Sequence, residues 1–170
     1  MVNRMKLAAA VVLLAGMIGA RAEGKKPADP PFDDTVFVKT AAIAGMTEIE
    51  IAKAAVAHTK NADVKKFAEG LIHDHTKSDG ELAAAAKAAG ITVPDKIDDA
   101  HQKQIDGFKN YKGDNFDRDF LATQVQAHTK VIELFTQASK EAKHAEIKDF
   151  AKKTLPTLQT HLETAKKLQK

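Results

Sequence analysis

The sequence predicts an all-α protein, a four-helix bundle built from two helical hairpins. Beyond residue 33, alanine, lysine, glutamate and leucine dominate, and no segment shows the alternating pattern of a strand. Apolar residues instead recur at steps of three and four in four long segments, as on the buried stripe of an amphipathic helix. The chain contains no cysteine, so packing alone must stabilise the single domain expected over residues 34–170.

The first hairpin is predicted over residues 34–89. Its helices, 34–59 and 63–89, meet at a short turn, and Gly90 favours the end of the second. The inward stripes consist of Phe37, Ala41, Ala44, Glu48, Ile51 and Ala55 in the first helix, and Phe67, Leu71, His75, Ser78 and Leu82 in the second.

The second hairpin follows a long connector, residues 91–113, which is predicted to contain a short helix over 101–108. A connector of this length either crosses the end of the bundle or runs along its side. The third long helix begins near Asp114, a residue type suited to the N-cap, and the fourth covers 145–168. Their stripes are Leu121, Val125, His128, Ile132 and Phe135, and then Ile147, Phe150, Leu155, Leu158, His161, Leu162 and Ala165.

An internal repeat supports the two-hairpin organisation. "NADVKKFA" at Asn61 and "HAEIKDFA" at His144 match at an offset of 83 residues. Each marks a helix start after a tight turn, so the two hairpins are predicted to be duplicates joined by the connector.

The N-terminus predicts export. Residues 1–22 are typical of a signal peptide, with basic residues near the start and an apolar run that is too short to span a bilayer. Ala20-Arg21-Ala22 fits a signal-peptidase site, so cleavage is expected between Ala22 and Glu23, and residues 23–33, with three prolines, form a flexible linker. The mature protein is then periplasmic or secreted, without a transmembrane segment; the alternative is an uncleaved N-terminal anchor.

The charge balance argues against nucleic-acid binding. The whole chain carries 26 Lys and Arg against 23 Asp and Glu, but three of the basic residues lie in the predicted leader. The mature chain therefore lacks a net positive charge, and with one tyrosine and no tryptophan it offers few platforms for base stacking. The sequence identifies no specific partner, and an envelope protein is the class of partner left open.

Four polar residues interrupt the stripes, one in each long helix: Glu48, His75, His128 and His161. At about 1.5 Å of rise per residue, their distances from the turns place all four near the middle of the bundle. Neutral imidazoles with a carboxylate are suited to one divalent transition-metal ion, such as zinc, copper, nickel or iron. The sequence therefore predicts a candidate metal site formed by these four side chains.

A packed polar core without metal is the competing interpretation, because buried histidines usually hydrogen-bond to neighbouring groups or to water. Asp74, which precedes His75, either orients a metal ligand from behind or is simply an exposed acid. His73 is turned by about 200° from His75 on the same helix and is expected to face solvent.

No catalytic motif is present. A di-iron site of the ferritin kind needs a Glu-x-x-His pair on two helices, and the one such spacing, Glu141 to His144, falls at a helix end. Neither a nucleophile paired with a base nor a phosphate-binding glycine loop can be recognised, so the protein is not predicted to be an enzyme.

The four helical segments contain "FVKTAAIAGMTEIEIAKAA", "VKKFAEGLIHDHTKSDGEL", "FDRDFLATQVQAHTKVIELF" and "IKDFAKKTLPTLQTHLETA". These blocks resemble the bacterial exported family called domain of unknown function 4142, whose members are often named as outer-membrane proteins. The resemblance implies a ferritin-like four-helix bundle but no established activity. The family's motif positions correspond to Glu48, Asp74, His75, Asp117, His128, Pro156 and His161.

The sequence thus predicts an exported four-helix bundle that binds one transition-metal ion in its core, in metal handling or envelope stress. The alternative from a different class is a structural or protein-interaction module of the cell envelope, with a packed polar core and no metal.

Overall fold

The computed structural model describes residues 31–170, which contain five α-helices and no strand. The all-α prediction is therefore confirmed for this part of the chain. The predicted signal peptide, its cleavage site and residues 23–30 of the predicted linker lie outside the described residues. The helices are α1 (Asp34–His58), α2 (Ala62–Ala88), α3 (Asp99–Lys109), α4 (Phe116–Glu141) and α5 (Ala145–Leu168).

Side-chain caps explain where three of the helices begin. Carboxylate or amide oxygens of Asp33, Asn61 and Asp98 accept hydrogen bonds from the free amides of the first turns of α1, α2 and α3. The predicted cap of the third long helix at Asp114 is one residue early, because Asn115 occupies the N-cap of α4, without a capping side-chain bond. The two copies of the repeat begin at the N-caps of α2 and α5, as predicted.

The four long helices form a bundle of two hairpins. α1 packs on α2, α4 packs on α5, and α2 packs on α5, whereas α1 and α4 pack less extensively. The ring centroid of Phe37, at the start of α1, lies 5.0 Å from that of Phe135, late in α4. At the other end of α1, the ring of His58 stacks on Phe116, the first residue of α4, with 5.0 Å between the ring centroids. α1 and α4 are therefore antiparallel, so the connector spans the length of the bundle.

The connector runs along the side of the bundle, which decides between its two predicted routes. Its helix, α3, packs on α1. Nζ of Lys109 lies 2.6 Å from Oε2 of Glu50, and the carbonyl oxygen of Lys109 lies 3.1 Å from Nε2 of His58. Ile105 and Phe108 join the apolar core from this side. α3 therefore covers one side of α1, while the inner faces of the four long helices pack on one another.

Two apolar clusters fill the bundle, one toward each end. In every long helix a buried polar residue separates the two clusters: Glu48 in α1, His75 in α2, His128 in α4 and His161 in α5. The predicted polar layer at mid-bundle is thus present. The helix that carries His161 continues through Pro156 without interruption. Among residues 31–170, none of the helices combines the length and apolar character needed to cross a bilayer.

Candidate metal centre

Three imidazoles meet in the polar layer. His75, His128 and His161 are 8%, 1% and 6% exposed, and their ring centroids lie 5.2 to 5.7 Å apart. Each ring offers one nitrogen to a group in which all such atoms lie within 4.8 Å of one another. Three different helices contribute these rings, so the packing of the bundle itself creates the cluster.

Hydrogen bonds orient two of the rings. Nδ1 of His128 lies 3.0 Å from the carbonyl oxygen of Gln124, and Nε2 of His161 lies 3.0 Å from Oδ2 of Asp74. Both partners are acceptors, so the hydrogen-bond network assigns an N–H to each of these nitrogens. The remaining nitrogens, Nε2 of His128 and Nδ1 of His161, face each other at 3.3 Å, and if both rings are neutral each of these nitrogens carries a lone pair. Two lone pairs at this distance require a shared proton or a cation between them.

The third ring adds an unsatisfied nitrogen. Nε2 of His75 is buried and has no hydrogen-bond partner among the described residues. Leaving a buried polar atom unpaired costs about 1 to 3 kcal/mol. A cation bound by the three rings would remove this cost and separate the facing lone pairs at the same time.

The spacing of the rings fits a tetrahedral ion. Two nitrogens that each lie about 2.0 Å from a tetrahedral metal ion are about 3.3 Å apart, which is the distance between Nε2 of His128 and Nδ1 of His161. All three candidate nitrogens lie within 4.8 Å of one another, and the unpaired Nε2 of His75 has no existing hydrogen bond to break.

Burial keeps two of the imidazoles, those of His75 and His128, in the neutral form that binds metals. Burial, and then the neighbouring His128 and His161, lower the pKa of His75 to about 3. Burial and the proximity of His161 lower the pKa of His128 to about 4, although the Gln124 carbonyl opposes this. Both rings are therefore neutral at pH 7, with no proton to displace before a metal binds.

Glu48 is linked to the cluster through Gln124. Oε2 of Glu48 accepts a hydrogen bond of 2.7 Å from Nε2 of the Gln124 side chain. The main-chain carbonyl oxygen of Gln124 in turn accepts a hydrogen bond from His128. Burial raises the pKa of Glu48 to about 7, against the lowering effect of this hydrogen bond. Glu48 is not part of the group of three nitrogens, but it lines the same inner cavity as His75 and His128.

The inner cavity has a volume of about 50 Å³ and a second carboxyl group in its wall. Asp79 lies one turn beyond His75 on α2, and burial raises the pKa of its carboxyl to about 6. This carboxyl lies against Gly45 of α1, where an added Cβ would be 2.1 Å from Oδ1 of Asp79. Only a glycine at position 45 leaves room for the Asp79 carboxyl in its present position.

Asp74 contacts the cluster through His161 rather than through its neighbour His75. Burial opposes ionisation of Asp74, but hydrogen bonds from His73 and His161 outweigh it and hold the pKa of the carboxyl below its usual value. A charged acceptor behind an imidazole fixes the tautomer and increases the basicity of the other ring nitrogen. His73 itself is exposed, as expected, and binds the outer oxygen of Asp74.

Sequence reasoning did not identify Gln124 and Asp79. Gln124 is fully buried one helical turn before His128, so its position on the inward stripe was the available signal. Asp79 likewise lies one helical turn from an inward histidine, because it follows His75 by four residues on α2. The remaining histidines, at 58, 101 and 144, lie at helix ends and are not part of the group of three ring nitrogens.

Comparison with known proteins places the chain in a family. The sequence profile of "Domain of unknown function (DUF4142)" matches residues 19–168, nearly the whole chain. The chain belongs to the DUF4142 family. None of the curated proteins matches this DUF4142 protein significantly in sequence.

Solved structures share the fold of this DUF4142 protein at low sequence identity. A "DUF305 fragment from Deinococcus radiodurans" has 13% identity and a TM-score of 0.68, covering 82% of this chain and 98% of that one. "CopM in the Cu(II)-bound form" has 16% identity and a TM-score of 0.68, covering 82% and 97%. "CopM in the Cu(I)-bound form" has 15% identity and a TM-score of 0.66, covering 80% and 94%. These similarities establish a common helical fold.

Proposed function

We propose that this DUF4142 protein binds one transition-metal ion in the middle of its bundle, through the imidazoles of His75, His128 and His161. The observation that carries the proposal is the pair of ring nitrogens facing each other at 3.3 Å beside a third, unpaired and buried, ring nitrogen. Hydrogen bonds to Gln124 and Asp74 fix the orientation of the His128 and His161 rings, so the inner nitrogens of these rings are free to bind an ion.

Glu48 is the proposed fourth ligand. It lines the cavity beside His75 and His128, and burial raises the pKa of its carboxyl to about 7. A cation nearby would favour the ionised form of Glu48 and offset the desolvation that raises its pKa. Three neutral imidazoles and one carboxylate would then have a net charge of −1, which partly or fully neutralises a divalent or monovalent ion.

Copper is the ion we favour among zinc, copper, nickel and iron. Imidazole nitrogen suits all four, but for a given site Cu(II) binds most tightly among the divalent ions of this series. CopM, whose fold resembles that of this chain, has been solved in Cu(I)-, Cu(II)- and Ag-bound forms. Together with the predicted signal peptide, this supports a role in copper handling in the cell envelope.

Thermal unfolding with and without metal tests the proposal. Protein freed of metal by a chelator should gain about 3 kcal/mol of stability when free Cu(II) exceeds the dissociation constant by about a hundredfold. His75→Ala should abolish most of this gain, because the site loses one of its three imidazoles. His73→Ala is the matched control, since His73 lies two residues away on the exposed face. An equal gain in the wild type and in His75→Ala would contradict the proposal.

A structural or interaction module of the envelope is the second candidate. The hydrogen bonds among Gln124, Glu48 and His128 and between Asp74 and His161 favour it, because such bonds also satisfy a polar core without metal. This candidate predicts that replacing His128 lowers stability by about 1 to 3 kcal/mol, to the same extent with and without metal. The two functions therefore differ in whether the loss depends on the ion.

A further inference from the structure

A groove between α1, α3 and α4 lies next to the inner cavity. The groove has a volume of about 450 Å³, and His101 and Gln104 of α3 line its outer part. The groove and the inner cavity share four lining residues, Ala44, Glu48, Ala127 and Val131. These shared residues form the wall between bulk solvent and the space beside the histidines.

The wall is thin because small side chains form it. Ala44 of α1 and Ala127 of α4 are both partly exposed, and each contributes a single methyl group to the groove and to the cavity. α1 and α4 also pack less extensively than the other neighbouring long helices.

Glu48 is the one acidic side chain that lines both spaces. We propose that a metal ion reaches the histidines through this α1–α4 groove and that Glu48 is the first buried ligand it meets, beyond the partly exposed His101 at the outer part of the groove. The inference rests on the proposed metal binding and adds the path and the order of contacts. A carboxylate can replace one water of a hydrated ion while the ion still faces solvent, and the imidazoles replace further waters as the ion moves inward.

The competing path lies on the opposite side of the bundle, between α2 and α5. A groove of about 450 Å³ there reaches His161, but the hydrogen bond of 3.0 Å between His161 and Asp74 closes its inner end. An ion entering this way would have to break that bond and displace a buried ring. Lys66 and Lys167 line this groove together with Asp63 and Asp74, so its formal charges balance and do not by themselves attract a cation.

The kinetics of copper uptake test the path. Aqueous Cu(II), buffered with a weak chelator, is mixed with metal-free protein, and binding is followed by absorbance; dissociation is followed after adding a strong chelator. Ala44→Leu and Ala127→Leu should each slow both association and dissociation by about tenfold, leaving the equilibrium constant nearly unchanged. A blocked path affects both directions equally, whereas a damaged site would weaken the equilibrium affinity.

Gly70→Leu is the matched control in the α2–α5 groove, since a Cβ at Gly70 meets no atom within 4 Å. Its uptake should equal that of the wild type. Unchanged rates in both alanine variants, or slowing only in Gly70→Leu, would overturn the proposed path while leaving metal binding intact. If the wild-type protein binds no copper, the proposed function itself fails.

A charge substitution tests the path without enlarging the side chains between the groove and the cavity. Lys130 is the one permanently positive side chain lining the α1–α4 groove. Lys130→Glu should raise the association rate by about threefold at low ionic strength, with the effect fading as salt is added. Lys66→Glu, in the other groove, should leave the rate unchanged. Acceleration by Lys66→Glu alone would overturn the inference.

Discussion

Replacing Glu48 with glutamine should stabilise the metal-free protein relative to the wild type, and this advantage should grow as the pH rises. Burial raises the pKa of Glu48 from 4.5 to about 7, so the folded state keeps a proton that the unfolded state releases. Between pH 4.5 and about 7, the wild type therefore loses stability by about 1.4 kcal/mol per pH unit through this group, about 3 kcal/mol over the interval. Above pH 7 both states are ionised at Glu48 and the loss levels off. Glutamine lacks this titration but can still accept the hydrogen bond from Gln124.

The assay is urea unfolding from pH 4.5 to pH 8 in the presence of a chelator, comparing Glu48→Gln with the wild type. The difference in unfolding free energy should grow by about 3 kcal/mol across the interval and then remain constant. Glu69→Gln is the control, because Glu69 is exposed on α2, and its difference from the wild type should stay flat. A difference for Glu48→Gln that does not vary with pH would refute the argument that Glu48 is buried without a compensating charge.

Three further predictions concern other buried groups of the bundle. In an NMR titration of the metal-free protein, the rings of His75 and His128 should remain neutral down to pH 5, because their pKa values lie at about 3 and about 4; titration near pH 6.5 would contradict this burial. Gly45→Ala should destabilise the wild type by about 1 to 3 kcal/mol through collision with Asp79, but stabilise an Asp79→Ala protein by up to about 1 kcal/mol; equal effects in the two backgrounds would exclude the collision. Asp34→Ala should cost about 3 kcal/mol in urea unfolding, because this buried carboxylate accepts hydrogen bonds from the turn that begins α5; a loss below about 1 kcal/mol would argue against that role.

Apolar periodicity was sufficient to predict the helices, because each long helix buries one continuous stripe. The last helix was predicted at 145–168 and is Ala145–Leu168, and the first was predicted one residue too long. The N-cap of α4 was placed one residue early, at Asp114 instead of Asn115. The route of the connector could not be predicted from periodicity, because it depends on contacts between α3 and α1 that lie far apart in sequence.

The inward histidines were predictable for the same reason, since each interrupts a stripe at mid-helix. Their hydrogen-bond partners were not, because these depend on rotation and height to within a fraction of a turn. Asp74 is adjacent to His75 in sequence, yet its carboxylate binds His161 of another helix. Gln124 connects Glu48 to His128 through one side-chain and one main-chain group, a relation between α1 and α4 that a single stripe cannot reveal.

X-ray absorption spectroscopy of the copper-loaded protein tests the central claim most directly. The account predicts one copper ion per chain with three imidazole nitrogens at about 2.0 Å and one oxygen ligand. The same measurement on His75→Ala should detect two imidazoles, and on His73→Ala it should detect three. Substoichiometric copper, or an imidazole count that is unaffected by His75→Ala, would show that the ion is bound elsewhere and would contradict a metal centre in the bundle.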